Sequence, residues 1–167
     1  MRSLVLARGL ATLPAMRVCF LSLFLAAAVS ALAANIEVVR VWPGLRTAES
    51  FERLSEVFGG GENTGGRLVL RTQKDQRAGF YFLVRLNNPE AAVAGCTWTV
   101  QVILPDAPKP KTYTLATALP AGGSVYELGL TGKDWPAGLA APVAWKLTCT
   151  TAEGRELVSQ QSFLWSK

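Results

Sequence analysis

The feature that most constrains the fold of this chain is a strict alternation of apolar and polar residues in several short segments. The clearest example is residues 95–104 (GCTWTVQVIL), in which Cys96, Trp98 and Val100 share one face and the intervening threonines share the other. A period of two residues is typical of a β-strand with one buried face. The pattern therefore predicts an all-β fold.

Turn-forming residues divide the chain into short segments of this kind. We expect strands over residues 35–42, 67–72, 79–87, 95–104, 112–119, 124–130, 143–150 and 156–165. Many short strands separated by turns are typical of an antiparallel β-sandwich. The sequence also predicts that Pro43 and Gly44 end the first strand, that residues 73–78 form a hairpin connection, and that residues 105–111 form a loop.

One segment has a helical period instead. In residues 47–58 (TAESFERLSEVF), Phe51, Leu54 and Phe58 recur at i, i+3 and i+7, and Thr47 can cap the start. This spacing predicts one short amphipathic helix near the N-terminus of the mature chain.

The chain is therefore expected to divide into three parts. Residues 1–33 form a signal peptide, and residues 34–66 form a strand, the helix and a glycine-rich loop. Residues 67–167 form the body of the sandwich. Residues 34–167 together make a single domain of ordinary size.

The leader has the composition of a secretory signal. Arginines are its only charged residues, an apolar run follows over residues 18–30, and Ala31-Leu32-Ala33 supplies the small residues of a cleavage site. The run is shorter than the roughly 20 apolar residues that span a bilayer. We expect export to the periplasm or exterior of a bacterial cell, with no stable membrane insertion after cleavage. Both Met1 and Met16 remain possible starts.

Two cysteines remain after the leader is removed. Cys96 and Cys149 form an even pair, which in an exported chain predicts one disulfide. Both lie on the apolar faces of strands far apart in sequence, so the bridge is expected to join the two sheets. Two buried free thiols are the alternative.

Cysteines on the inner faces of two strands in a predicted sandwich resemble the immunoglobulin and fibronectin-III architecture. The resemblance covers residues 67–165 and implies an antiparallel immunoglobulin-like sandwich. Two positions depart from the antibody pattern. Trp98 follows Cys96 on the same strand, and Leu147 stands where a tyrosine corner places tyrosine.

Composition excludes several kinds of chemistry. The chain has no histidine, so it cannot use a Ser-His-Asp triad, a Cys-His pair or a histidine-ligated zinc ion. Its acidic residues are scattered and follow no calcium-loop spacing, and the chain has no G-x-S-x-G nucleophile elbow. We therefore predict a protein that is not an enzyme and that has no cofactor and no metal.

Five side chains are candidates for binding. Trp42 and Trp135 each precede a proline in a predicted loop, where a rigid indole can stack on a sugar ring or a partner's side chain. Alternatively, they plug the open ends of the sandwich. Arg67, Arg71 and Arg85 belong to the densest basic region, which can face an anionic glycan, lipid headgroups or an acidic protein. A solvated sheet face is the alternative.

These observations predict a non-catalytic protein-interaction or structural module of the bacterial envelope, whose partner is an unknown envelope protein or glycan. The alternative is a carbohydrate-binding module that uses the loop tryptophans. Nucleic acid is not an expected partner: the chain has 17 cations, but three lie in the leader, which leaves 14 against 12 acids.

Overall fold

The computed structural model describes residues 36–51 and 64–166. The described residues form the strands β1 (Glu37–Arg46), β2 (Leu68–Arg71), β3 (Gly79–Asn88), β4 (Val93–Leu104), β5 (Ala107–Leu119), β6 (Gly122–Thr131), β7 (Ala144–Thr150) and β8 (Glu156–Gln161). Three short 3-10 turns complete them, at Ala48–Phe51, Gly132–Asp134 and Phe163–Ser166. The predicted leader and residues 59–63 of the predicted glycine-rich loop lie outside the described residues.

The strands form two four-stranded sheets. Sheet A has the order β1-β3-β6-β2, and sheet B has the order β5-β4-β7-β8. All neighbouring strands are antiparallel except β2 and β6, which run parallel. The predicted all-β sandwich is confirmed, although its sheets are not purely antiparallel.

The core lies between the inner faces of the two sheets. The alternation of the sequence sets these faces, because every second side chain of a strand points the same way. The buried side chains of this core include Phe80, Phe82, Val84 and Leu86 of β3, Tyr126, Leu128 and Leu130 of β6, Trp98, Val100 and Val102 of β4, and Leu147 and Cys149 of β7. Complete burial of one such aliphatic or aromatic side chain stabilises the fold by about 1.5–3 kcal/mol.

Three prolines that were expected to interrupt strands or to lie in a loop belong to strands. β1 continues through Pro43 and Gly44, and β5 begins at Ala107 and includes Pro108 and Pro110. Both strands are at sheet edges, where a residue without an N–H group need not break a backbone ladder. The predicted strand end at Pro43 and the predicted loop over residues 105–111 were therefore wrong.

The predicted hairpin over residues 73–78 is also wrong, because β2 does not pair with β3. β2 instead lies beside β6. Two hydrogen bonds to threonine hydroxyls connect the chain just after β2 to the end of β6. The Thr131 N–H donates to Thr72 Oγ1 at 3.0 Å, and the Gln73 N–H donates to Thr131 Oγ1 at 3.0 Å.

The predicted helix over residues 47–58 is not found in the part of this segment that the structure describes, residues 47–51. Ala48–Phe51 form a single 3-10 turn, in which the Ser50 N–H donates to the Thr47 carbonyl at 3.2 Å. Residues 52–58 lie outside the described residues. An isolated turn of this length has little intrinsic stability, so local spacing alone does not decide the structure here.

The predicted inter-sheet disulfide is wrong. Cys96 and Cys149 both belong to sheet B, on the neighbouring strands β4 and β7, where Cys149 lies directly opposite Trp98. Both are free thiols and both are buried. Inward-facing positions on strands far apart in sequence can belong to the same sheet, and here they do.

Burial also changes the acidity of these thiols. Desolvation, reinforced by the nearby Cys96 thiol, raises the pKa of Cys149 from 9.0 to about 12. The same cause raises the pKa of Cys96. The folded protein therefore keeps both groups neutral at pH values where an exposed thiol ionises.

We expect this shift to make the fold less stable in alkali. Above the ordinary thiol pKa of 9.0 the unfolded chain loses a proton that the native state retains until about 12, so stability falls through that window, by at most about 1.4 kcal/mol per pH unit for this group. Cys149→Val should reduce the fall, as measured by urea unfolding at about pH 8 and about pH 10.5. An identical pH dependence in the variant and the parent would contradict the assignment.

Candidate functional site

The outer face of sheet A brings together most of the predicted binding residues. The strand register places Trp42 of β1 beside Leu83 of β3, and Leu83 beside Glu127 of β6. The next row on the same face runs through Gly44, Tyr81, Gly129 and Arg71. These rows point away from the core, because they alternate with the buried residues of the same strands.

Arginines surround these rows. Arg40 and Arg85 lie opposite each other on β1 and β3, and both are exposed. We call this surface the arginine face, and we define it as Arg40, Arg46, Arg67, Arg71 and Arg85 with Trp42 and Glu127. The fold therefore unites four of the five predicted binding residues: Trp42, Arg67, Arg71 and Arg85.

The centre of the arginine face is a buried carboxylate. Glu127 is only 2% exposed, and its Oε1 accepts a hydrogen bond from Arg67 Nη1. Arg46 Nη2 lies 3.9 Å from the same oxygen. A buried carboxylate needs such partners because its desolvation is costly. One carboxylate thus faces two guanidinium groups, and the face keeps an excess of positive charge.

Glu127 was not among the binding candidates from the sequence. It lies on the outer face of the segment SVYELGL, between the inward-facing Tyr126 and Leu128. That alternation places its side chain on the outer face. Its partner Arg67 is 60 residues away along the chain, and no local spacing connects the two.

Arg71 is held in place by a buried tyrosine. The ring of Tyr81 lies over Gly129, where a Cβ atom would collide with it. The Tyr81 hydroxyl donates to the Arg77 carbonyl at 2.7 Å and accepts from Arg71 Nε at 2.8 Å. The Arg71 guanidinium also lies 4.8 Å from the centre of the Phe51 ring, a cation–π arrangement. Arg71 therefore has a fixed position at the rim of the face.

A pocket of about 200 Å³ opens beside Trp42. Its lining includes Trp42, Pro43, Gly44, Arg46, Leu83 and Glu127. No atom lies within 4 Å of the place where a Cβ of Gly44 would stand, so the backbone borders open space there. Trp42 is 40% exposed, and the Arg40 guanidinium lies 4.7 Å from its ring. An indole edged by arginines can bind a flat apolar group that carries a negative charge.

Trp135 lies elsewhere, as the plug interpretation expected. It is 7% exposed, it stacks on Phe80 with ring centres 4.6 Å apart, and its Nε1 donates to the Leu139 carbonyl at 3.0 Å. It offers no free ring face of the kind that binds a sugar. Trp42, in contrast, is exposed but lies within strand β1, so its expected position in a loop was wrong.

A second concave surface runs between the two sheets on the side of β2 and β5, and we call it the β2–β5 cleft. Its main part has a volume of about 660 Å³ and is lined by residues 69–72 and 112–116 with Lys74 and Asp134. An adjoining part of about 410 Å³ is lined by Leu68, residues 92–94 and residues 117–120. The two parts share the same pair of edge strands.

Residues 36–51 and 64–166 contain no group of three or more Cys, Asp or Glu side chains placed to hold a metal ion. Over the same residues, no helix has the length and apolar character needed to cross a membrane.

The buried carboxylate leads to a stability prediction. Arg67→Ala should destabilise the fold by on the order of 3 kcal/mol, because it leaves Glu127 buried with only the distant Arg46 as partner. Arg85→Ala, on the same face but exposed, should change stability by less than about 0.5 kcal/mol. Urea unfolding of the two variants measures the difference. Equal effects would show that Arg67 does not stabilise Glu127.

No protein-family model matches this chain, and no curated protein sequence is significantly similar to it.

Proposed function

We propose that this protein is an exported, non-catalytic module of the bacterial envelope that binds an acidic region of another envelope protein. The arginine face is the observation that carries the proposal. Five guanidinium groups and one exposed indole share one side of sheet A with a single buried carboxylate, which two of the arginines face. Such a surface attracts acidic partners and orients them.

The composition of this face favours a protein partner. Arginine and tryptophan are the residue types that most often contribute large shares of binding free energy at protein interfaces. Arg71 is already held by Tyr81 and Phe51, so binding at this position costs little side-chain entropy. The outer face of a sheet is also broad, which suits a protein surface better than a small metabolite.

The leader sequence supports export. An arginine-bearing start, a short apolar run and Ala31-Leu32-Ala33 have the order of a bacterial secretory signal. Export leaves a periplasmic or extracellular protein with no stable membrane insertion. Nucleic acid is an unsuitable partner in that compartment.

We also infer that the sandwich is of the immunoglobulin or fibronectin-III type. The order β5-β4-β7-β8 corresponds to strands C′-C-F-G, and β1-β3-β6 corresponds to A-B-E. The buried Trp98 then lies on strand C, as in antibody domains. β2 departs from the type, since it occupies the place of strand D but runs parallel to its neighbour.

The proposal can be tested by photo-cross-linking in the native envelope. A photoreactive residue at Asn87, which is exposed beside Arg85 on β3, should capture a discrete acidic protein. Adding Arg40→Glu and Arg85→Glu should lower the yield at least about tenfold, and about 0.5 M salt should also lower it, because the attraction is screened. The matched control is the same photoreactive residue at Gln160, exposed on β8 of the other sheet.

Either of two results would overturn the proposal: no cross-linked protein at Asn87, or a yield that charge reversal and salt leave unchanged. The melting temperature of each variant should stay near that of the parent, because the substituted arginines are exposed.

The alternative function is carbohydrate binding, and the exposure of Trp42 above its pocket is the observation that favours it. A pocket of about 200 Å³ has the size of one sugar ring, and a flat indole at its edge offers a surface for stacking. This alternative now rests on Trp42 alone, because Trp135 is buried.

Trp42→Ala tests whether the indole binds sugar. If the protein binds sugar, the change should weaken retention on a polysaccharide column more than tenfold, equivalent to about 2 kcal/mol, with little effect on the melting temperature. Trp135→Ala is the matched variant: it should cost about 3–5 kcal/mol of stability because it empties a buried site. Unchanged retention in folded Trp42→Ala protein would exclude a sugar site at this indole.

A further inference from the structure

We propose that the β2–β5 cleft takes an extended segment of a partner protein as an added β-strand, and that this segment has an acidic end. The inference deepens the proposed interaction function, but it concerns a different surface from the arginine face. It rests on the two strand edges, on the apolar side chains in the floor of the cleft and on the distribution of lysine and proline along β5.

Within residues 36–51 and 64–166, β2 and β5 are the edge strands of the two sheets on this side of the sandwich. β2 is hydrogen-bonded along β6, and β5 is hydrogen-bonded along β4, so each has one neighbour among the described strands. The free side of an edge strand presents backbone N–H and C=O groups that can pair with another extended chain. On the opposite side of the sandwich, the edge strands β1 and β8 lie against each other.

The floor of the cleft carries apolar side chains, among polar ones in the main part and with few polar neighbours in the adjoining part. Leu70 of β2 and Leu115 of β5 line its main part, and both also belong to the core or pack against it. Leu68, Val93 and Leu119 line the adjoining part. A strand laid along the cleft would direct every second side chain towards this floor. The occupant should therefore alternate apolar and polar residues.

The two halves of β5 differ in how they are protected from such pairing. Proteins blunt exposed edges with lysine and proline, and the first half of β5 has both, at Pro108, Lys109, Pro110 and Lys111. The second half, residues 112–119 (TYTLATAL), has neither, and it is this half that lines the cleft. Within β5, lysine and proline are thus confined to the half that does not line the cleft.

This open stretch sets the length of the occupant. Eight residues of β5, 112–119, border the cleft, and a strand rises about 3.3 Å per residue. A segment of about eight residues would cover them. The four residues of β2 would flank its central part.

The charges at one end of the cleft favour an acidic residue there. Arg71 and the exposed Lys74 line this end together with Asp134. The Asp134 carboxylate is already engaged, since its Oδ2 accepts from Gln73 Nε2 at 2.6 Å. Among the described residues that line this end there are two cations and one anion, and Lys74 is exposed, so a carboxylate at the end of the added strand would complement the charge here.

The test uses the mature protein and a synthetic peptide, acetyl-Asp-Thr-Val-Thr-Val-Thr-Val-Asp-amide. Amide hydrogen exchange followed by NMR should slow at least about tenfold for outward-facing N–H groups in residues 112–118 when the peptide is added. Replacing both aspartates by lysine should weaken binding several-fold. Replacing the central threonine by proline should abolish it, since proline cannot continue a ladder.

Variants locate the site and separate it from the arginine face. Ala116→Glu places a like charge against the acidic peptide at the unprotected half of β5 and should weaken binding at least about tenfold. Lys109→Asp, on the protected half, is the matched control and should weaken it far less. Arg85→Glu should leave peptide binding unchanged, so that failure of the arginine face and failure of the cleft give different results. The lysine-substituted and proline-substituted peptides leave the protein unchanged, so they keep the test valid if Ala116→Glu unfolds.

Four outcomes overturn the inference. They are no protection at millimolar peptide, protection on β1 or β8 instead, equal binding of the proline peptide, and protection that appears with rising protein concentration in the absence of peptide. The last would identify a second copy of this chain as the occupant.

Discussion

The position of β2 beside β6 is the constraint on which both candidate surfaces depend. β2 has only four residues, Leu68–Arg71, and short strands have few ladder hydrogen bonds of their own. Contacts on either side of it supply the rest. Before the strand, Arg67 binds the buried carboxylate of Glu127, and after it the hydroxyls of Thr72 and Thr131 accept backbone N–H groups from the neighbouring segment. Without these contacts there would be neither a rim to the arginine face nor one wall of the cleft.

The sequence predicted the sandwich and most of its inner surface, because burial of one sheet face imposes a period of two that is readable in any short window. It did not predict which strands are neighbours. Nothing near Leu68 indicates that it pairs with Tyr126, and the polar residues that follow β2 have the composition of a hairpin turn. The cysteines show the same limit. Cys96 and Cys149 were correctly expected to face the core, but alternation does not indicate to which of the two sheets a strand belongs, and both lie in sheet B.

The candidate site could be predicted in its parts but not as a whole. Arg67, Arg71 and Arg85 stand out in sequence as a basic region, and their outward positions follow from alternation. Trp42 was expected in a loop because proline and glycine follow it, yet the edge position of β1 tolerates both and carries the indole onto the same face. Glu127 becomes visible only when the fold brings two distant arginines to it. Long-range charge pairing leaves no local pattern, whereas alternation does.

The two surfaces share one strand, and this has an energetic consequence. One side of β2 borders the arginine face through Arg67 and Arg71, while its free edge borders the cleft. A four-residue edge strand with a single neighbour among the described strands belongs to the less stable part of a fold. Any partner that binds only when β2 is docked stabilises that docked state by mass action. Occupancy of either surface therefore favours the geometry that the other requires, and by linkage the effect is reciprocal. A partner that presents both an acidic patch and an extended segment would therefore bind more tightly than a partner that presents only one of them.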